Sequence, residues 1–164
     1  MHKPLATLLS QDRIITELRA ADRWQAIDEL LDKLVESHAV DPANRAGIST
    51  VVRKREQSMS TGIGYGIGIP HATTDCLPEA VAALGRSTRG IAFDALDGQP
   101  VSLVVLFLVP QGQFQQHLHT MAGIAKLLQQ ADIRQALKQA LDAAAILQLI
   151  QHHEALSAPQ TIHL

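Results

Sequence analysis

The sequence predicts an α/β fold in which helices cover the faces of a mixed sheet. Three observations carry this. The run "VSLVVLFLVP" (101–110) is apolar with no polar alternation, as in a central strand covered on both sides. Segments of helical periodicity lie both before and after it. The order is a strand, two helices, several strands and then helices, which sets helices on the faces of one sheet.

The elements follow in chain order. "DRIITEL" (12–18) is rich in β-branched residues and reads as a short strand. In "DRWQAIDELLDKLVESHAV", Trp24, Ile27, Leu30, Leu31, Leu34 and Val35 recur at helical spacing, and Asp22 with Gln25 forms an N-terminal cap pattern. "DPANRAGISTVVRKREQ" begins a second helix with Pro42 in its first turn. "AVAALGRST" (80–88) and 101–109 read as strands, joined by turn chemistry at Asp97-Gly98 and Pro100. Helices are expected over about 113–129, after Asp132, and after Asp142 to about His153.

The 164 residues suit one domain, 1–164, with a core at about 5–153 and a frayed tail at 154–164. Apolar residues make up 46% and charged residues 18%, a composition that supports a buried core rather than disorder. The net charge of −2 provides no basic field, which argues against nucleic acid as a partner. Residues 101–110 fall short of the roughly twenty needed to span a bilayer, so membrane insertion is not expected. "MHKPLATLLSQDR" has an apolar stretch broken by Thr7 and Ser10 and does not read as a signal peptide. Cys76 is the single cysteine, which precludes an intrachain disulfide, fits a reducing cytoplasm, and reads as a small buried residue.

The unusual stretch is "TGIGYGIGIPH" (61–71). Gly62, Gly64, Gly66 and Gly68 alternate with Ile63, Tyr65, Ile67 and Ile69. In one extended strand this gives a bulky apolar face and a bare one, against which another element or a ligand can lie closely. The spacing is not G-x-G-x-x-G, and no Gly-Lys-Ser/Thr follows, so a nucleotide loop is excluded. The strand is expected to end on His71, beside the small residues Ala72, Thr73 and Thr74. A solvent-reachable neutral imidazole there is a competent nucleophile, and the alternative is a histidine hydrogen-bonded in a loop.

On the helix at 113–129, His117 shares a face with Met121, Ile124 and Leu128, whereas His119 is rotated by about 200°. His117 therefore faces the core, as a site residue or as an amphipathic side chain. Arg55 lies in "RKREQ" near a helix end, where a basic group complements the helix dipole; Arg53 and Lys54 read as solvated. Zinc needs three or four ligands, and His117-x-His119 and His152-His153 offer no such set, so no metal or cofactor is expected.

Two segments in this order, "STGIGYGIGIPH" and "AFDALDGQPVSLVVLFLVP" followed by "HLHTMAGIAKLL", resemble the signatures of the mannitol/fructose-type IIA domains of the bacterial phosphoenolpyruvate-dependent phosphotransferase system. The two histidines stand about 46 residues apart, and the nitrogen-type, free-standing IIA proteins look most similar. The resemblance implies a three-layer α/β/α sandwich with a mixed parallel/antiparallel sheet. It implies that His71 is the phosphorylated nucleophile, His117 a hydrogen-bond donor to the phosphoryl oxygens, and Arg55 an anion-stabilising residue. Ala72 departs from the family pattern, which has glycine after the active histidine. The implied donor is an HPr-like phosphocarrier, and the implied partners are regulatory targets such as potassium-transport or nitrogen-control proteins. Two other readings stay open: a free-standing sugar-transport IIA passing phosphate to a IIB domain, and a binding module in which His71 is structural.

Overall fold

The computed structural model describes residues 3–157. The helices are α1 (Leu5–Leu8), α2 (Arg23–Glu36), α3 (Arg45–Ser58), α4 (Phe114–Leu128), α5 (Ala131–Gln139) and α6 (Ala143–Ser157). The strands are β1 (Ile14–Ile15), β2 (Gly62–Gly64), β3 (Ile67–Gly68), β4 (His71–Thr74), β5 (Val81–Ile91) and β6 (Val101–Pro110). The sheet order is β1-β5-β6-β3-β2, with β4 also on β6. β5 runs antiparallel to β6, while β3 and β4 run parallel to it, so the sheet is mixed.

β6 is the middle of the sheet, as its unbroken apolar sequence requires. Alternate residues of β6 feed two cores. Leu103, Val105, Phe107 and Val109 pack with α1, α4, α5 and α6 on one face. Val104, Leu106 and Leu108 pack with α2 and α3 on the other. The result is the expected three-layer α/β/α sandwich.

α2 starts as its sequence requires. The Asp22 carboxylate accepts from Gln25 N at 2.9 Å, and the Gln25 side chain accepts from Ala21 N at 2.9 Å, so two otherwise orphaned donors are satisfied together. α6 begins in the same way, with Ala145 N donating to Asp142 Oδ1. It runs four residues beyond the expected His153, because "EALS" contains nothing that stops a helix. Residues 154–157 are therefore helical, and the rest of the expected tail, 158–164, lies outside the described residues.

Three expectations need correction. The strand read at 12–18 shrinks to Ile14–Ile15, because Gln11–Arg13 forms a 3-10 turn. Cys76 is exposed rather than buried. The glycine stretch is not one strand but a hairpin, β2–β3, with Gly64 opposite Ile67. Its two-residue turn has positive φ at both Tyr65 (60°) and Gly66 (75°), the conformation whose twist matches paired strands. The chain then runs from Ile67 to Thr74 along β6 in one register, Ile67 beside Leu103 and His71 beside Phe107. His71 thus opens β4 instead of ending a strand.

Candidate functional site

His71 is fixed by the chain around it. Its Nδ1 lies 2.8 Å from the carbonyl oxygen of Ile69. Because a carbonyl can only accept, Nδ1 carries the proton, and Nε2 of the neutral ring holds the free electron pair. Ile69 is held in turn, its N–H donating to Thr61 O at 3.1 Å. Thr61 is anchored by Glu56, whose carboxylate accepts from Thr61 N at 3.0 Å and from Thr61 Oγ1 at 2.6 Å. Glu56 is only 1% exposed and is balanced by Arg23 at 3.5 Å. The buried Glu56 of α3, paired with Arg23 of α2, thereby fixes the carbonyl that orients the imidazole.

The ring stacks on Phe114 at the start of α4, with centroids 6.4 Å apart and an interplanar angle of 17°. Burial lowers the His71 pKa from its ordinary value, and the positive charge of Arg55 lowers it further. The Ile69 hydrogen bond, a weaker influence than burial but a stronger one than Arg55, raises it, as the Glu56 charge does to a lesser extent. With its pKa held below the ordinary value, the imidazole is neutral at neutral pH, the state that a nucleophile needs.

His71 opens onto a shallow depression of about 610 Å³ that also contains Lys54, Arg55, Ala72 and Phe114. The structure therefore brings His71 and Arg55 together. Arg55 reaches forward past the end of α3 to donate from Nη1 to Met59 O at 3.0 Å, which holds its guanidinium at the rim. Lys54, read from sequence as solvated, joins this wall as a second cation. Arg53 faces elsewhere and pairs with Asp28 at 2.7 Å.

His117 points inward, as its helical face requires, and is 4% exposed, whereas His119 is exposed. It does not line the His71 depression. It packs edge-on against Phe107, the β6 residue beside His71, with centroids 5.9 Å apart. His117 also lines a separate small cavity with Lys3 and Gln113. Burial, followed by the Lys3 charge, lowers its pKa. Its Nδ1 is buried without a partner, so the proton belongs on Nε2, where no buried donor is left unsatisfied.

The glycines do not touch this site. A Cβ on Gly68 would stand 2.7 Å from the Phe93 ring, and one on Gly62 would stand 2.8 Å from Ala95. The bare face of the hairpin therefore admits Phe93 and Ala95, not a ligand. Among the described residues, no three His, Cys, Asp or Glu side chains gather as a metal site, and no helix is long and apolar enough to cross a membrane. Sequence reasoning missed Glu56, Lys54 and Phe114. Glu56 left a usable signal, an acidic residue set one place beyond Arg55 in an otherwise basic helix end.

Comparison with known proteins adds three kinds of likeness. The family model described as "Phosphoenolpyruvate-dependent sugar phosphotransferase system, EIIA 2" matches residues 7–153. A nitrogen regulatory protein of Bradyrhizobium diazoefficiens is 36% identical over 87% of this chain and 92% of its own length. A fructose-specific EIIA component of Haloferax volcanii is 35% identical over 83% of this chain and 87% of its own. Among solved structures, the nitrogen regulatory protein IIA-Ntr of Neisseria meningitidis superposes with a TM-score of 0.80 at 26% identity, covering 88% of this chain and 97% of that one.

Proposed function

The chain belongs to the EIIA 2 family of the phosphoenolpyruvate-dependent sugar phosphotransferase system, and on that premise we propose how it carries a phosphoryl group. His71 accepts it from the phosphohistidine of a small HPr-like donor protein. The resulting phosphorylation state then sets which regulatory targets the protein binds in the cytoplasm. The observation that carries this reading is the 2.8 Å hydrogen bond from Nδ1 to Ile69 O, which leaves Nε2 free at the edge of an open depression.

Nε2 attacks the donor's phosphorus in line. The new N–P bond forms as the donor's N–P bond breaks, and the donor imidazole keeps that electron pair and takes up a proton. Charge in such a transfer is spread over three phosphoryl oxygens, so the protein's work is positioning and charge stabilisation. Arg55 and Lys54 supply positive charge at the rim. His117, packed on Phe107 beside His71, is the proposed donor of an Nε2–H to the phosphoryl oxygens, a role that requires its buried ring to open towards the His71 depression. After transfer the ring keeps its Nδ1 proton, and the Ile69 carbonyl stabilises the charge it acquires. Phe114 and Val51, 39% and 38% exposed beside His71, give a docking protein an apolar rim.

The regulatory role draws its support from the nitrogen regulatory relatives, and target classes of that kind include potassium-transport and nitrogen-control proteins. The nearly equal identity to the fructose-specific EIIA component favours a second reading, in which the phosphoryl group passes to a sugar-specific IIB domain.

One experiment tests the carrier reading. The protein is incubated with phosphoenolpyruvate, enzyme I and the HPr-like carrier and weighed intact. A single acid-labile phosphoryl gain, absent in His71→Ala, is expected. No gain with donors shown to be competent would leave a binding module with a structural His71. Adding IIB domains then separates the two roles: rapid loss of the group to a IIB domain means transport.

A further inference from the structure

A second cavity, of about 430 Å³, lies at the other end of β6 and has a different character. It is framed by Tyr65 and Gly66 at the hairpin tip, Arg86 and Arg89 on β5, Ser102 on β6 and Lys138 on α5. Ser102 is five residues from Phe107 along the strand, about 17 Å at the usual rise. The two cavities share no residue.

Its charge is unusual for a chain with a net charge of −2. None of the residues lining it is acidic. Among the described residues, no ion pair engages Arg86, Arg89 or Lys138. The Glu17 carboxylate, bonded to the lining residue Thr88, accepts from its N–H and hydroxyl and pairs with none of the three cations. Arg86 is 9% exposed, and three carbonyls hold it: Nε donates to Thr16 O at 2.9 Å, and Nη1 donates to Leu137 O at 2.8 Å and Ala140 O at 2.7 Å. These bonds satisfy its donors on one side but do not neutralise it. They lock the guanidinium in place, with Nη2 making no hydrogen bond among the described residues. A rigid, unneutralised arginine with two further cations around it is the arrangement that recognises phosphate oxygens. The volume exceeds that of one phosphate ion and suits a small metabolite. Tyr65, 59% exposed with the Arg134 guanidinium 5.3 Å from its ring, offers a flat wall for the remainder.

We propose that this cavity binds a small organic phosphate, with Arg86, Arg89 and Lys138 holding the phosphoryl group and Tyr65 and Ser102 contacting the rest. The site is separate from His71, so this proposal stands whether or not His71 is phosphorylated.

The test is a titration of the whole protein with ribose 5-phosphate and, separately, inorganic phosphate, followed by backbone amide NMR. Saturable shifts at Arg86–Gly90, Ser102 and Lys138 are expected, with ribose 5-phosphate binding more tightly. Lys138→Glu and Arg89→Ala, both at exposed positions, should each weaken binding by about tenfold or more without altering the rest of the spectrum. His71→Ala should bind as the wild type does. Shifts confined to the His71 depression, non-saturating shifts, binding of inorganic phosphate alone, or unchanged affinity in both charge variants would each overturn the proposal.

Discussion

As the proposed phosphoryl acceptor, His71 would react only as a neutral ring, and its lowered pKa extends the range over which it is neutral. Phosphoryl acceptance should therefore persist as the pH falls slightly below 6.5 and decline only once the pH passes beneath the lowered value. An imidazole NMR titration beside a pH–rate profile checks this. Because the Arg55 charge contributes to the lowering, Arg55→Ala should raise the His71 pKa and move the acid limb of the profile to higher pH. An unmoved titration would separate Arg55 from the site. His117→Ala removes the proposed oxygen donor and should slow transfer by about a hundredfold, with the fold kept; transfer at the wild-type rate would remove His117 from the mechanism. Glu56 acts at one remove, by holding Thr61 and hence Ile69. Glu56→Ala should destabilise the protein by about 2–3 kcal/mol in urea denaturation, because it leaves two Thr61 donors without their partner and removes one of the two carboxylates facing Arg23.

At the scale of elements, two glycines make opposite predictions. Gly68→Ala forces a methyl against the buried ring of Phe93 and should cost about 1–3 kcal/mol. Gly47, inside α3, has nothing within 4 Å of a Cβ, so Gly47→Ala should stabilise by roughly 0.5–1 kcal/mol. Thermal melts of the two variants compare them directly. The hairpin also shows where sequence reading reached its limit. Alternating glycine and bulky residues fit one strand as well as two, and the deciding turn is Tyr65-Gly66, with a tyrosine in a conformation that its residue type does not announce. The inward face of His117 and the cap of α2 were legible, because helical spacing and capping are local properties. The partners of Glu56 and Arg86, and the place of Lys54 beside His71, were not, since each depends on residues brought together only by the tertiary fold.

At the scale of the molecule, β6 joins the two cores, with the His71 depression near one end and the cationic cavity near the other. Its central place was legible from an apolar run with no polar alternation. The N-terminal segment was not, because α1 is a single turn held by distant contacts. Leu5 N and Ala6 N donate to the Glu154 carboxylate of α6 at 2.6 and 2.8 Å, joining residues near both ends of the described chain. Glu154→Ala should loosen α1 and cost about 1.5 kcal/mol, with early amide exchange at Leu5 and Leu8 as the readout.

The central claim is that the fold presents Nε2 of His71 to the phosphoryl group while Nδ1 is held by Ile69. Long-range proton–nitrogen NMR of the imidazoles in the enzymatically phosphorylated protein tests it most directly. Phosphorus coupling at Nε2 of His71 and a proton on Nδ1 are expected. Phosphorus on Nδ1 of His71, or on any other histidine, would contradict it.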